Sequence, residues 1–302
     1  MSSIWLSDPR PLRHDAGTSV VARRALSVAA LCLGLAACAG QPSSSAYREY
    51  ELALTAIGDL RTDTAPDDAP FTNADLVRNF SRIALRHEVD IEKAGDDSNS
   101  APNPLQRWEG PIRWGLYGRG ATPADHAEVE RYLAHISEIT GIEMEEVERD
   151  VNLMILITDP AERPAFSAAL RRLYPALADG FDTWRSSGRV VCMASNLFSA
   201  MEDDVIVFGM VVIGSEVTGL LRRSCIHEEI AQALGLGNDH PEVRPSIFND
   251  DEEFALLTEH DEWLLRILYD QRLAPGMTEE EAIPVVREIV EEIRPGPDGD
   301  GI

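Results

Sequence analysis

The chain has 302 residues and a formal charge of −25, because 52 aspartates and glutamates outnumber 27 lysines and arginines. A surface this acidic repels the phosphates of nucleic acids, which argues against a nucleic-acid partner, and it also repels anionic lipid headgroups. The length fits one domain with extensions at its ends.

The N-terminus has the pattern of an export signal. Residues 25–37, ALSVAALCLGLAA, form an apolar run preceded by two arginines, and the run is too short to span a bilayer as a helix. It ends in Leu35-Ala36-Ala37-Cys38, which resembles a bacterial lipobox. We therefore expect residues 1–37 to be a lipoprotein signal peptide, and Cys38 to be lipidated and to become the N-terminus of the mature chain. The alternative is a buried N-terminal helix with an incidental cysteine.

Lipidation of Cys38 implies a protein of the bacterial cell envelope that faces the periplasm, with the membrane as its partner through the lipid. The residue after the cysteine is Ala39 and not an aspartate. By resemblance to sorted lipoproteins, this implies the outer membrane. Residues 38–70 are predicted to be a tether, with a short helix around YREYELALTAIGDL and an acidic linker. The folded domain is expected over 71–295, and 296–302 are expected to be a disordered tail.

Helix and strand patterns alternate through this domain. Apolar residues at helical spacing predict helices in FTNADLVRNFSRIALRHE, from Pro123 to Thr140, over 161–178, in CIHEEIAQALGLGND, in FALLTEHDEWLLRILYD and after Thr278. Strands are predicted in RWEGPIRWGLYG, IEMEEVE, VNLMILIT and DVIVFGMVVIG. This alternation is compatible with a single domain.

Two cysteines remain in the mature chain if Cys32 leaves with the signal peptide and Cys38 is acylated. In an oxidising periplasm Cys192 and Cys225 are a natural disulfide pair. Two separate buried thiols are the alternative.

The predicted helix around 225–239 almost matches the zinc-peptidase pattern H-E-x-x-H-x-x-G-x-x-H. Aligned on Gly235, it has Glu228 and Gln232 in the first two histidine places, Asn238 in the third and Glu229 in the place of the general base. A register that starts at His227 puts Ala231 in the second ligand place. Both registers fail as a three-histidine zinc site.

A wider resemblance surrounds this helix. RWEGPIRW, a helix ending in ITG, NLMILIT, CIHEEIAQALGLGND, PSIFND and LTEHDEWLLRILYD are similar, in order and wording, to an uncharacterised bacterial envelope family, domain of unknown function 2927. The similarity covers roughly residues 71 to 277 and includes Cys192 and Cys225. The same order resembles the metzincin branch of zinc peptidases, with Phe248 of PSIF replacing the methionine of their methionine turn. That resemblance implies an α+β, zincin-like fold, a single domain with a mixed sheet, a signature helix and C-terminal helices.

The polar residues of the signature helix have two interpretations. In one, Ile226, Ile230, Ala233 and Leu234 are buried while Glu228, Glu229 and Gln232 face water. In the other, favoured by the flanking resemblance, the polar residues line a zincin-like cleft. Of the nearby histidines, which are expected to lie at the surface, His240 is a better ligand candidate than His260 because it follows the glycine turn.

Two functional hypotheses follow. The first is a degenerate peptidase scaffold that binds peptides or other envelope components without cutting them. The second is a divergent metallohydrolase in which Glu228, Gln232 and Asp239 hold a divalent metal ion and Glu229 acts as the base. Oxygen ligands suit calcium, magnesium or manganese better than zinc.

Overall fold

The computed structural model describes residues 2–5, 42–88, 100–188, 190–249 and 251–295. The apolar run of the predicted signal peptide, Cys38 and the predicted tail at 296–302 lie outside these ranges. Within them the elements are, in chain order, β1 (Ser2–Trp5), α1 (Ser44–Ile57), α2 (Asn73–Ala84), β2 (Arg86–Glu88), β3 (Ser100–Pro102), β4 (Arg107–Trp108), β5 (Ile112–Tyr117), α3 (Pro123–Thr140), β6 (Met144–Glu146), β7 (Leu153–Thr158), α4 (Arg163–Leu173), α5 (Pro175–Ser187), β8 (Val190–Phe198), β9 (Val205–Gly214), α6 (Gly219–Ala233), α7 (Glu259–Leu268) and α8 (Glu279–Ile293).

A mixed sheet with strand order β1-β8-β9-β7-β5-β6 forms the centre of the domain. Strands β5, β6, β7 and β9 are parallel, whereas β8 runs antiparallel to β9 at one side. The short β4 pairs in parallel with the start of β9. This architecture confirms the predicted α+β class with a mixed sheet.

Both faces of the sheet are covered. Along β7 and β9, Ile155 and Val211 belong to the larger core, which includes residues of α3, α6 and α7, while Leu156 and Val212 face the smaller core, which includes residues of α4 and α5. Successive side chains of a strand point to opposite faces, so a strand covered on both sides needs an apolar residue at nearly every position. The apolar runs of β7 and β9 meet this need.

Strand β1 pairs with the outer edge of β8 in an antiparallel sense. It belongs to the segment that the sequence predicts to be removed as a signal peptide. In a mature chain that begins at Cys38, this edge of β8 would lack its neighbour.

The segment before the predicted domain packs onto it. Tyr47 and Leu54 of α1 are buried, and so is Leu60. The next residue, Arg61, forms an isolated parallel β-bridge with Phe254. Among the described residues, no helix is long and apolar enough to cross a membrane.

Several predicted boundaries differ from the structure. RWEGPIRWGLYG divides into β4 and β5 around Pro111, which has no backbone N–H for a sheet ladder. The helical region over 161–178 divides at Tyr174 into α4 and α5, and α5 continues to Ser187. Helix α7 begins only after Thr258, whose capping box with Asp261 sets its start.

Strand β8 is missing from the predicted elements. Its first five residues are buried, but the following Ser195 and Asn196 interrupt the apolar run. The strand is specified mainly by its long pairing with β9, which a local pattern does not show.

Candidate functional site

Helix α6 carries the zinc-peptidase-like pattern and is fixed at both ends. At its start, the side chain of Thr218 makes no capping bond, and Glu51 of α1 accepts a hydrogen bond from the Leu221 N–H at 3.1 Å instead. This contact places a carboxylate at the positive end of the helix dipole. At its end, Trp108 Nε1 donates to the Ala233 carbonyl oxygen at 3.0 Å, and the Tyr269 hydroxyl donates to that of Leu234 at 2.7 Å.

Gly235 makes the turn that follows α6. Its φ is +113°, and a Cβ at this position would lie 2.1 Å from the carbonyl oxygen of Gln106. Only glycine therefore fits here. The residues after it then lie beside the last turns of the helix.

The structure brings three of the predicted site residues together. Gln232 Nε2 donates to Asp239 Oδ1 at 3.0 Å and makes a long contact of 3.5 Å with Glu228 Oε1. Glu228 and Gln232 are 6% and 2% exposed, whereas Asp239 is half-buried. We call Glu228, Gln232 and Asp239 the α6 cluster.

Asn238 does not join the α6 cluster through its amide. Its Nδ2 donates to the carbonyl oxygens of Arg82, at 2.8 Å, and of Asp239, at 3.0 Å. Glu229 is fully buried. The interpretation in which Glu228, Glu229 and Gln232 face water is wrong, because each of them is at least nine-tenths buried.

The α6 cluster does not fit a divalent cation in its present arrangement. The Gln232 nitrogen, rather than its oxygen, faces the two carboxylates, and this orientation follows from the hydrogen-bond network that carboxylates accept. The Gln232 Oε1 atom is buried and has no hydrogen-bond partner among the described residues. Within the same ranges, no group of three or more histidine, cysteine, aspartate or glutamate side chains is placed to hold a metal ion.

His227 has a role that the sequence did not reveal. Its Nδ1 accepts from the Leu257 N–H at 3.3 Å and its Nε2 lies 2.9 Å from Glu128, so the ring is the Nε2-protonated tautomer and donates to that carboxylate. Burial lowers the pKa of His227, although Glu128 acts in the opposite direction. The hydrogen bond from His227 in turn holds the pKa of the Glu128 carboxyl well below its usual range.

This pair holds α6 against α3. The Tyr132 ring stacks on His227 at a centroid distance of 4.0 Å, and the Tyr132 hydroxyl donates to the His227 carbonyl oxygen at 2.7 Å. Both imidazole nitrogens are therefore occupied by structural contacts. Because Glu128 lies 99 positions before His227, no local spacing could have identified the pair.

The PSIF segment lies on a second buried polar group. Asp261, which is fully buried, accepts from the Ser246 hydroxyl at 2.5 Å, from the Ile247 N–H at 3.0 Å and from the Thr258 N–H at 3.0 Å. Phe248, the residue in the place of the methionine, is also fully buried. We call Ser246, Thr258 and Asp261 the Asp261 cluster.

The two histidines considered as ligand candidates differ in burial. His260 is fully buried between Asn79, at 3.0 Å from its Nε2, and Asp261, so the prediction of a surface position is wrong for this residue. His240 is half-buried and its backbone N–H donates to the Phe248 carbonyl oxygen at 2.9 Å. That bond joins the loop after α6 to the PSIF segment.

The disulfide between Cys192 and Cys225 is formed, with 5.9 Å between the Cα atoms. It links β8 to α6, three residues before Glu228. The predicted pairing is confirmed, and the bond fixes α6 against β8, the strand that pairs with β1.

A comparison with family models matches residues 73–288 to the family described as "Protein of unknown function (DUF2927)". The chain belongs to this family. No curated protein and no solved structure matches the chain. The matched range contains both clusters, the disulfide and the Glu128–His227 pair, whereas α1 precedes it.

Proposed function

We propose that this DUF2927 protein is a lipoprotein of the bacterial cell envelope which binds extended peptide segments without cleaving them. In this proposal Cys38 is acylated and holds the domain on the periplasmic side of the outer membrane. The lipobox pattern supports the anchor, and the strongly acidic composition agrees with a partner other than nucleic acid.

The scaffold proposed for this function is zincin-like. Its support is a buried helix α6 with Glu228 and Gln232 on one face, the Gly235 turn, the return of Asp239 and the PSIF segment packed nearby. In a zinc peptidase, histidines would take the positions of Glu228 and Gln232. Because Gln232 turns its nitrogen toward the carboxylates, we propose a scaffold that does not depend on zinc.

The pairing of β1 with β8 carries the peptide-binding part of the proposal. Ser2 pairs with Ala194, Ser3 with Met193 and Trp5 with Val190, so the edge of β8 accepts an extended segment as an additional strand. The paired segment belongs to the part that is expected to leave with the signal peptide. An open strand edge is a common site for peptide recognition, because main-chain hydrogen bonds supply affinity for any extended chain.

A synthetic peptide with the sequence of residues 1–8, MSSIWLSD, tests this proposal on the mature chain carrying Cys38→Ser. We expect saturable binding in fluorescence anisotropy, together with slower amide hydrogen exchange in β8. A matched peptide with prolines in place of Ser3 and Ile4 should bind at least tenfold more weakly, since proline has no N–H to donate. Equal binding of both peptides, or no protection of β8, would refute strand addition.

Elemental analysis and a peptidase assay on the same protein test the non-catalytic part. We expect no stoichiometric zinc and no cleavage of the bound peptide. One zinc per chain, together with a cleavage activity that disappears in Glu229→Gln, would instead establish the metallohydrolase.

A further inference from the structure

Helix α1 has two apolar faces, and only one of them is used in the fold. Tyr47 and Leu54, on the inner face, are 2% and 7% exposed. On the outer face Leu52 and Ile57 are 62% and 74% exposed, and the exposed Ala53 and Ala56 lie between them. The positions 52, 53, 56 and 57 recur at helical spacing, so these four side chains form one stripe, which we call the α1 stripe.

Several contacts fix the orientation of this stripe relative to the body. The Glu51 carboxylate accepts from the Leu221 N–H at the start of α6, and the Tyr50 hydroxyl contacts the buried Glu252 at 3.4 Å. Since both residues extend from the inner side of α1, the helix is attached to the domain while its stripe faces outward. Whatever binds the stripe therefore also orients the domain.

The stripe differs in charge from the rest of the protein. The four residues of the stripe are uncharged. The exposed Glu49 continues the same face at its N-terminal end, because it lies three and four positions before Leu52 and Ala53, and its charge is balanced by the neighbouring exposed Arg48. The chain as a whole has a formal charge of −25. An uncharged apolar surface can approach anionic lipid more closely than the acidic remainder of the domain.

The position of the predicted anchor brings the stripe close to a bilayer. Ser43, the N-cap of α1, follows Cys38 by five positions, and five residues span at most about 18 Å in any conformation. The 14 residues of α1 form a helix about 21 Å long. If Cys38 is acylated, the stripe is thus within reach of the headgroup region.

We propose that the α1 stripe lies in the headgroup region of the membrane and so determines which side of the domain faces the lipid. This inference rests on the lipidation of Cys38 in the proposed function. The occupant is the lipid surface itself, as for interfacial helices that bury an apolar face at the boundary between headgroups and acyl chains. The N-terminal end of α6, attached to α1 through Glu51, then lies next to the membrane.

The test uses the full-length lipoprotein, processed in cells and reconstituted into vesicles of phosphatidylethanolamine and phosphatidylglycerol. An Ile57→Cys variant is labelled with a polarity-sensitive fluorophore. The introduced thiol is expected to be the single reactive one, because Cys192 and Cys225 form the disulfide and Cys38 would carry the lipid. Leu52→Cys repeats the measurement at a second position of the stripe, and Met201→Cys, at a side chain that is 94% exposed, is the matched control.

We expect the emission at positions 52 and 57 to be shifted to the blue. A spin label near the lipid headgroups should quench most of the fluorescence at these two positions and little of it at position 201. A lipidated mass combined with equal quenching at 57 and 201 would overturn the role of the stripe and leave the anchor intact. An unacylated mature mass would overturn both, and mass spectrometry distinguishes the two failures.

Discussion

The α6 cluster and the Asp261 cluster are both buried polar groups, but their hydrogen bonding differs. Both carboxylate oxygens of Asp261 are occupied, Oδ1 by the Ser246 hydroxyl and Oδ2 by backbone N–H groups that include that of Thr258. In the α6 cluster, Gln232 uses its nitrogen for Glu228 and Asp239, while its buried oxygen lacks a partner among the described residues.

This difference predicts unequal contributions of the two clusters to stability. A buried polar atom without a partner costs about 1 to 3 kcal/mol, so native proteins retain few of them. A fully bonded group such as the Asp261 cluster contributes to one well-defined fold. The amide oxygen of Gln232, like those of Asn79 and Asn238, is buried without such a partner among the described residues, so we expect Gln232 to contribute less to stability than Asp261 does.

The largest effect expected from this comparison is at Asp261. Asp261→Asn replaces one carboxylate oxygen, a hydrogen-bond acceptor, with an NH₂ group. This group would face the hydroxyl or N–H donors that now bind the carboxylate, so we expect a loss of about 3 to 5 kcal/mol in the free energy of unfolding. Urea unfolding measures it. Glu262→Gln, on the same helix, is the matched control and should lose less than about 1 kcal/mol, as for a partly exposed ion pair. Similar losses in both variants would mean that the Asp261 cluster is not structural.

The sequence predicted the features that depend on local spacing. Helix α6 follows from helical spacing, and strands β7 and β9 follow from uninterrupted apolar runs. The turn after α6 and the approach of Gln232 to Asp239 follow from Gly235. The disulfide followed from the cysteine count. The helix, the turn and the strands depend on interactions between residues close in sequence, and the disulfide depends on chemistry that only cysteine supplies.

The features that were missed depend on distant partners. The Glu51 cap of α6 comes from 170 positions away, and its glutamate belongs to a segment predicted to be a tether. Asp261 and Thr258 form a readable T-x-x-D capping box, but the reach of that carboxylate to Ser246 depends on how the intervening chain folds. One sequence contains no local sign of such contacts.

The disulfide should affect the two clusters unequally. Replacing Cys192 and Cys225 together by alanine opens a loop of 33 positions, for which the chain-entropy model gives about 3 to 4 kcal/mol. Because the bond joins β8 to α6, we expect the substitution to accelerate amide hydrogen exchange more in α6 than in α7. Equal acceleration in both helices would show that the disulfide stabilises the domain only globally.

Two adjacent glutamates allow a test of burial against pairing. Burial raises the pKa of Glu252 to about 8, whereas the hydrogen bond from Arg244 lowers the pKa of Glu253. In the unfolded chain Glu252 loses its proton near pH 4.5, so its contribution to stability is complete below that pH and is lost as pH rises to about 8.

In wild type, the free energy of unfolding should fall by up to about 1.4 kcal/mol per pH unit between pH 5 and 8 because of Glu252. Glu252→Gln should abolish this part of the fall, as measured by urea unfolding at several pH values. Glu253→Gln is the matched control. Its wild-type carboxylate stabilises the fold above pH 4.5, so this variant should lose stability at neutral pH. A Glu252→Gln variant with the pH dependence of wild type would contradict the buried position of that carboxyl.

The smallest effect is expected at Gln232, and it tests the comparison most directly. Gln232→Met keeps the length of the side chain, removes the partnerless Oε1 atom, and also removes the hydrogen bonds to Glu228 and Asp239. The half-buried Asp239 can bind water instead, and the contact with Glu228 is long at 3.5 Å and therefore weak. Gain and loss should nearly cancel, and we expect a change within about 1 kcal/mol in urea unfolding. Asn249→Leu is the matched control, at a buried amide whose nitrogen donates to the Pro241 and Val243 carbonyl oxygens and whose oxygen accepts from the Asp251 N–H. It should be clearly destabilising, because these backbone groups lose their partner. If Gln232→Met instead lost as much stability as Asp261→Asn, the α6 cluster would be a second structural group, and the comparison of the two clusters would fail.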